Sequence, residues 1–154
     1  MCIRDSVRDM ARAGISVSLG TDGACSNNSL DMFETMKLAA LLAKGCSGDA
    51  TAVPATQALN MATAEGARIF RTPGLGTLAP GAPADMIALD LDEPNLCPIF
   101  NEASHAVYAA SGKDCVFTMV EGNILYDRGT YTDGLYADTA AEMRDLVEWV
   151  KGKE

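Results

Sequence analysis

Within residues 7 to 74 only one segment alternates like a β-strand, and this limits the possible folds more than any other feature. In Ile15-Ser16-Val17-Ser18-Leu19 the apolar residues fall at every second position, the period of a strand with one buried face. A short helical pattern, VRDMARAG, precedes it, with Gly14 placed to stop the helix. Helical patterns also follow it. A lone strand cannot satisfy its own backbone donors and acceptors, so it needs neighbours. The chain therefore reads as the last part of a larger fold.

The helix after the strand is SLDMFETMKLAALLAK. Ser29 or Asp31 can cap it, and Leu30, Phe33, Met36, Ala40 and Leu41 recur at helical spacing. It is apolar around most of its girth, which predicts packing on two sides. After the loop GCSGDATAV, Pro54 sits as a first-turn proline ahead of ATQALNMAT, and Thr63 is placed to cap AEGARIF. From residue 75 the pattern changes. Met86-Ile87-Ala88-Leu89 is a compact apolar run between Asp85 and Asp90, and CVFTMVEGNILYDRGTY is two β-rich runs joined across Glu121-Gly122-Asn123, a hairpin signal. The tail DTAAEMRDLVEWVKGK predicts a final helix with a Thr139–Glu142 capping box and a stripe of Met143, Leu146, Val147 and Val150. This divides the chain into residues 7–74, 75–135 and 136–154, with 1–6 (MCIRDS) reading as a non-native junction.

A chain of 154 residues has the length of one domain, and its net charge of −9 opposes nucleic acid and anionic membrane surfaces as partners. No apolar run approaches the ~20 residues needed to span a bilayer, and the N-terminus lacks the apolar centre of a signal peptide. Its five cysteines form no C-x-x-C pair and read as reduced thiols, which points to the cytoplasm.

The chemistry lies in Gly20-Thr21-Asp22-Gly23. A carboxylate at the end of an apolar strand occupies the position of catalytic groups in a (β/α) barrel, and Gly20 and Gly23 would let the backbone turn sharply. Such an aspartate can bind a metal ion or carry a proton. By itself, Thr-Asp-Gly is more often simple turn chemistry.

Four segments, in order, resemble the amidohydrolase superfamily, and within it the S-adenosylhomocysteine and 5-methylthioadenosine deaminases. AGISVSLGTDGACSNNSLDMFETMKLAALLAK is similar to that family's eighth barrel strand, metal-site loop and following helix, and ALNMATAEGARIF to its next helices. GLGTLAPGAPADMIALD resembles the return into a small β-sandwich, and VYAASGKDCVFTMVEGNILYDRG the sandwich's closing hairpin. The fold class implied is α/β: a C-terminal fragment of a (β/α)8 TIM-type barrel, comprising the last strand and its helices, with part of a small β-sandwich and a C-terminal helix. The activity implied is hydrolytic deamination of S-adenosylhomocysteine, 5-methylthioadenosine or adenosine, releasing ammonia. Guanine or cytosine deaminases and triazine hydrolases are the neighbouring alternatives, and a non-catalytic interaction domain is the alternative of another class.

The resemblance implies one divalent metal, zinc, with iron or manganese as alternatives. Asp22 would bind it, act in catalysis and help orient the purine, while Ser26 and Asn27 would face the substrate. Asn28 and Ser29 read equally well as helix caps. The family's other ligands are histidines on earlier strands. This chain has one histidine, His105, which reads as structural, so the histidine ligands and the acid/base glutamate are absent. The implied partners are a purine nucleoside and the missing N-terminal part of the barrel, with a homo-oligomer of the full-length parent left open.

Overall fold

The structure is a computed structural model that describes residues 7–132 and 135–153. The expected junction at residues 1–6 lies outside the described residues. Elements run in the order α1 (Val7–Arg12), α2 (Ala24–Asn27), α3 (Met32–Ser47), α4 (Ala55–Ala62), α5 (Ala64–Ile69), β1 (Met86–Leu89), α6 (Glu102–Tyr108), a 3₁₀ turn (Gly112–Asp114), β2 (Cys115–Val120), β3 (Asn123–Asp127), β4 (Thr130–Tyr131) and α7 (Leu135–Lys151).

The core is helical. Met36 and Ala40 of α3, Val53 in the turn before α4, Ala58 and Met61 of α4, and Val107 of α6 form one buried cluster, with Val17, Leu19 and Phe33 packed against it. Asp31 caps α3 by accepting from Phe33 N at 2.8 Å. On α3 the expectation of two-sided packing fails: Leu38, Leu41 and Leu42 remain exposed opposite the buried Met36 and Ala40. α4 and α6 cover one side, and no described element covers the other. Thr63 occupies the N-cap position of α5, but its hydroxyl donates back to Leu59 O at 2.8 Å and does not cap.

Residues 15–19 do not form the expected strand. A strand is defined by its ladder, and no described strand lies beside this segment; Ile15 N donates back to Met10 O at 3.0 Å and Leu19 N to Met61 O at 3.0 Å, and neither bond belongs to a ladder. No helix is expected from the sequence around His105, yet this segment forms α6, whose Val107 is fully buried in the helical core. Asn101 caps it by accepting from Ser104 N at 2.8 Å.

The expected β-run and hairpin are present in one antiparallel sheet, ordered β1-β2-β3-β4. Met86 pairs with Met119, and Val120 with Asn123. Glu121 and Gly122 both have positive φ, 49° and 79°, which is the backbone of a two-residue type I′ turn. Arg128 and Gly129 repeat this at 42° and 91°, closing a second hairpin onto the short β4. α7 meets the sheet through the stacked rings of Tyr131 and Tyr136, 5.0 Å apart. It starts at Leu135, so Thr139 lies inside the helix and the expected capping box is not its N-terminus.

Candidate functional site

The polypeptide between Leu19 and α3 reverses direction at Asp22, and Asp22 takes the strained conformation itself, at φ 61°. Gly20 and Gly23 do not: neither is at positive φ, and Gly23 has φ −75°. The expectation that the glycines supply the turn is therefore corrected. Aspartate is one of the few residues other than glycine that visits this region, because its short side chain bonds locally. Here Asp22 Oδ1 accepts from Gly23 N at 2.7 Å, and Thr21 Oγ1 donates to Asp22 O at 3.1 Å. Among the described residues no hydrogen bond engages Asp22 Oδ2, which leaves that oxygen for a ligand or a proton.

The next turn, α2, is one helical turn long and has no side-chain cap. It brings Ser26 and Asn27 to the same recess as Asp22. That recess, of about 360 Å³, is open to solvent and lined by Gly20, Thr21, Asp22, Ser26, Asn27, Thr35, Leu38 and Ala39. Asn27 commits its Nδ2 to Ser29 O at 3.0 Å, leaving its carbonyl oxygen free to accept. Thr35 and Leu38 were not legible as site residues in the sequence. Their spacing on α3 puts them on one helix face, but which face meets the loop is decided by packing.

A metal ion is not held by these residues alone. Among the described residues no group of three or more His, Cys, Asp or Glu side chains is placed to bind one. Asp22 supplies one oxygen donor, where a catalytic zinc takes three protein ligands. His105 is not a partner for it: Nδ1 lies 2.9 Å from Asn101 O and Nε2 lies 3.1 Å from Pro98 O, so the ring sits between main-chain carbonyls of its own segment. No described helix is long and apolar enough to cross a membrane.

Comparison with known proteins gives the site its context. The amidohydrolase family matches residues 4–125. The chain is 50% identical over 147 residues to a 5-methylthioadenosine/S-adenosylhomocysteine deaminase of Nitratidesulfovibrio vulgaris, an alignment covering 96% of this chain and 33% of the relative. An adenosine deaminase from Xanthomonas campestris with bound zinc superposes with a TM-score of 0.88 at 31% identity, over 93% of this chain and 33% of that one. The zinc complex of an atrazine chlorohydrolase from Arthrobacter aurescens reaches 0.83 at 25% identity, over 92% and 32%. The chain thus spans about a third of the length of the relatives it matches.

Proposed function

The chain belongs to the amidohydrolase family, and from that premise we propose that it is the Asp22-bearing third of a metal-dependent deaminase acting on adenine-type nucleosides. The observation that carries this reading is the 50% identity to a 5-methylthioadenosine/S-adenosylhomocysteine deaminase along 96% of the chain. The triazine alternative rests on 25–26% identity. The substrate class is S-adenosylhomocysteine, 5-methylthioadenosine or adenosine.

In this reading residues 7–74 close the barrel, 75–135 supply the β-sandwich strands together with α6, which packs in the helical core, and 136–154 carry most of the C-terminal helix, α7. The metal, zinc, with iron or manganese as alternatives, would take Asp22 as one ligand and histidines from the remaining two thirds of the parent. The scattered, unpaired cysteines support a reducing, cytoplasmic setting, with Cys25, Cys46, Cys97 and Cys115 all free.

Within this chain the chemistry falls to Asp22. Replacing the amino group of a purine by water requires a proton to leave the water and another to reach the departing ammonia. Asp22 Oδ2, which no hydrogen bond engages among the described residues, can accept the first and return it, while the Gly23 N–H holds Oδ1 and fixes the carboxylate plane. Ser26 Oγ and the Asn27 carbonyl oxygen supply a donor–acceptor site and an acceptor suited to a ribose or a purine edge.

The test is to extend the reading frame upstream of the Val7 codon, express the longer protein and measure ammonia release from 5-methylthioadenosine, S-adenosylhomocysteine and adenosine. Turnover of at least one, lost about 100-fold or more in Asp22→Asn, is the expected result. Turnover of triazines or pyrimidines in place of all three overturns the substrate class. An active Asp22→Asn enzyme overturns the role of Asp22.

A further inference from the structure

The loop that carries Asp22 is fastened at two points, and the second is a carboxylate. At its start Leu19 N donates to Met61 O at 3.0 Å. From Gly20 to Ser29 the hydrogen bonds are local: Gly23 N to Asp22 Oδ1, Ser26 N and Asn27 N to Gly23 O, Asn28 N to Ala24 O, and Asn27 Nδ2 to Ser29 O. Asp31 N then donates to Ser29 Oγ at 3.2 Å. These bonds make the loop a compact unit with nothing remote to hold it.

Asp31 supplies the remote tie. Its Oδ1 accepts from Phe33 N at 2.8 Å and caps α3, while Oδ2 accepts from Gly112 N at 2.8 Å, a contact spanning 81 residues of sequence. Among the described residues no other hydrogen bond joins residues 20–31 to any segment beyond Thr35. The donor is itself fixed. Gly112 begins a 3₁₀ turn with a Ser111–Asp114 capping box. The nearly buried Asp114 Oδ2 accepts from Ser111 N at 2.8 Å and from Asn95 Nδ2 at 3.0 Å. The position also calls for a small residue, since a Cβ on Gly112 would lie 3.4 Å from Asp31 Oδ2.

We propose that Asp31 is a positioning residue of the Asp22 site: its bidentate bridge between the start of α3 and the Gly112 turn sets where the loop, and with it the Asp22 carboxylate, stands. A helix cap needs only one of the two oxygens. The second oxygen, spent on Gly112, is what a cap alone leaves unexplained. A misplacement of about 1 Å at reacting groups can cost as much as 100-fold in rate, so the bridge has a kinetic signature. The kinetic part of this inference rests on the deaminase reading above; the mechanical part does not.

Two variants separate positioning from capping, because Asn and Ser are both strong N-caps. Asp31→Asn keeps one acceptor and replaces the other with a donor, and Asp31→Ser cannot reach Gly112. In the extended enzyme both are expected to lower kcat about tenfold or more, with KM changed less than about twofold and the protection of α3 amides retained. Hydrogen exchange followed by mass spectrometry gives a readout that needs no activity: peptides covering 20–30 and 110–115 are expected to exchange faster together. Faster exchange at 110–115 alone, or an unchanged kcat in an active enzyme, overturns the proposal. So does a general loss of protection across α3, which would make Asp31 a cap and nothing more. A wild-type protein that releases no ammonia, yet shows the coupled exchange, overturns the deaminase reading and leaves the mechanical link standing.

Discussion

The ammonium of Lys44 donates to the carbonyl of Val53 at 2.8 Å, and Val53 is held at φ 44°, a conformation that β-branched residues rarely adopt. The same ammonium donates to Tyr108 Oη at 2.9 Å and lies 5.5 Å from the Tyr108 ring centroid. One side chain thus joins the last turn of α3, the strained entry to α4 and the end of α6. Near the C-terminus of α3 it also opposes the negative end of the helix. Val53 is almost fully buried, so its carbonyl has little access to a replacement donor.

Lys44→Met keeps the aliphatic stem and removes the donor. It is expected to destabilise the chain by about 1–3 kcal/mol, the cost of losing charge-assisted hydrogen bonds and stranding a carbonyl. Urea unfolding with an unchanged m-value measures it.

Gly76 lies at φ 73°, and a Cβ there would approach Thr63 C at 2.6 Å and Ala64 N at 2.7 Å, all backbone that cannot swing aside. Gly76→Ala is therefore expected to cost at least about 2 kcal/mol. Gly81→Ala is the control: φ is 87°, but nothing lies within 4 Å of the new methyl, so the cost is confined to the backbone, about 1 kcal/mol. Equal losses in the two variants would refute the packing of the Leu75–Leu78 segment on the start of α5.

Two valines test where the core ends. Val107→Ala on α6 removes two methyl groups from a position with no exposure, and is expected to cost about 2 kcal/mol. Val147→Ala on α7 alters a residue 46% exposed and is expected to stay within about 0.5 kcal/mol. A larger effect at Val147 would show that α7 is covered in solution.

Asp49 gives the acid dependence. The Thr51 hydroxyl donates to its Oδ1 at 2.6 Å and Thr51 N at 2.9 Å, and Arg8 stands 3.7 Å from Oδ2. Chiefly through the Thr51 hydroxyl, then its amide, the carboxyl is held below its ordinary value of 3.8. A lowered folded-state value stabilises the ionised form. That contribution is present above about pH 4 and is lost as pH falls through the folded-state value. The stability gap between wild type and Asp49→Ala should accordingly narrow on acidification below about pH 4, followed by circular dichroism. A gap that widens there would refute the assignment.

Several elements were legible because their information is local. α3 announces itself by apolar spacing and the Asp31 cap, the Glu121-Gly122 hairpin by its turn residues, and the family by four motifs in register. Asp22, Ser26 and Asn27 lie close together in sequence, so they meet at one recess without help from distant packing. The second hairpin was signalled by Asp127-Arg128-Gly129-Thr130 but masked by the β-rich run around it. α6 is not legible for a different reason: its pattern is short, and it is a core helix because it packs against α3 and α4, where Val107 joins the buried cluster, not because of anything in its own seven residues.

What the sequence determined by itself is therefore that residues 32–47 and 55–69 are helical, where the first hairpin turns, and that Asp22, Ser26 and Asn27 share one loop. The tertiary structure decided three things. Residues 15–19 form no strand because a strand requires a neighbour to accept its hydrogen bonds, and no described strand lies beside them. Asp22, not the flanking glycines, takes the left-handed turn, because its own carboxylate is there to bond Gly23 N. Asp31 meets Gly112 across 81 residues, a pairing no local pattern encodes, since only the packing of α3 against α6 and the turn that follows brings the two within reach.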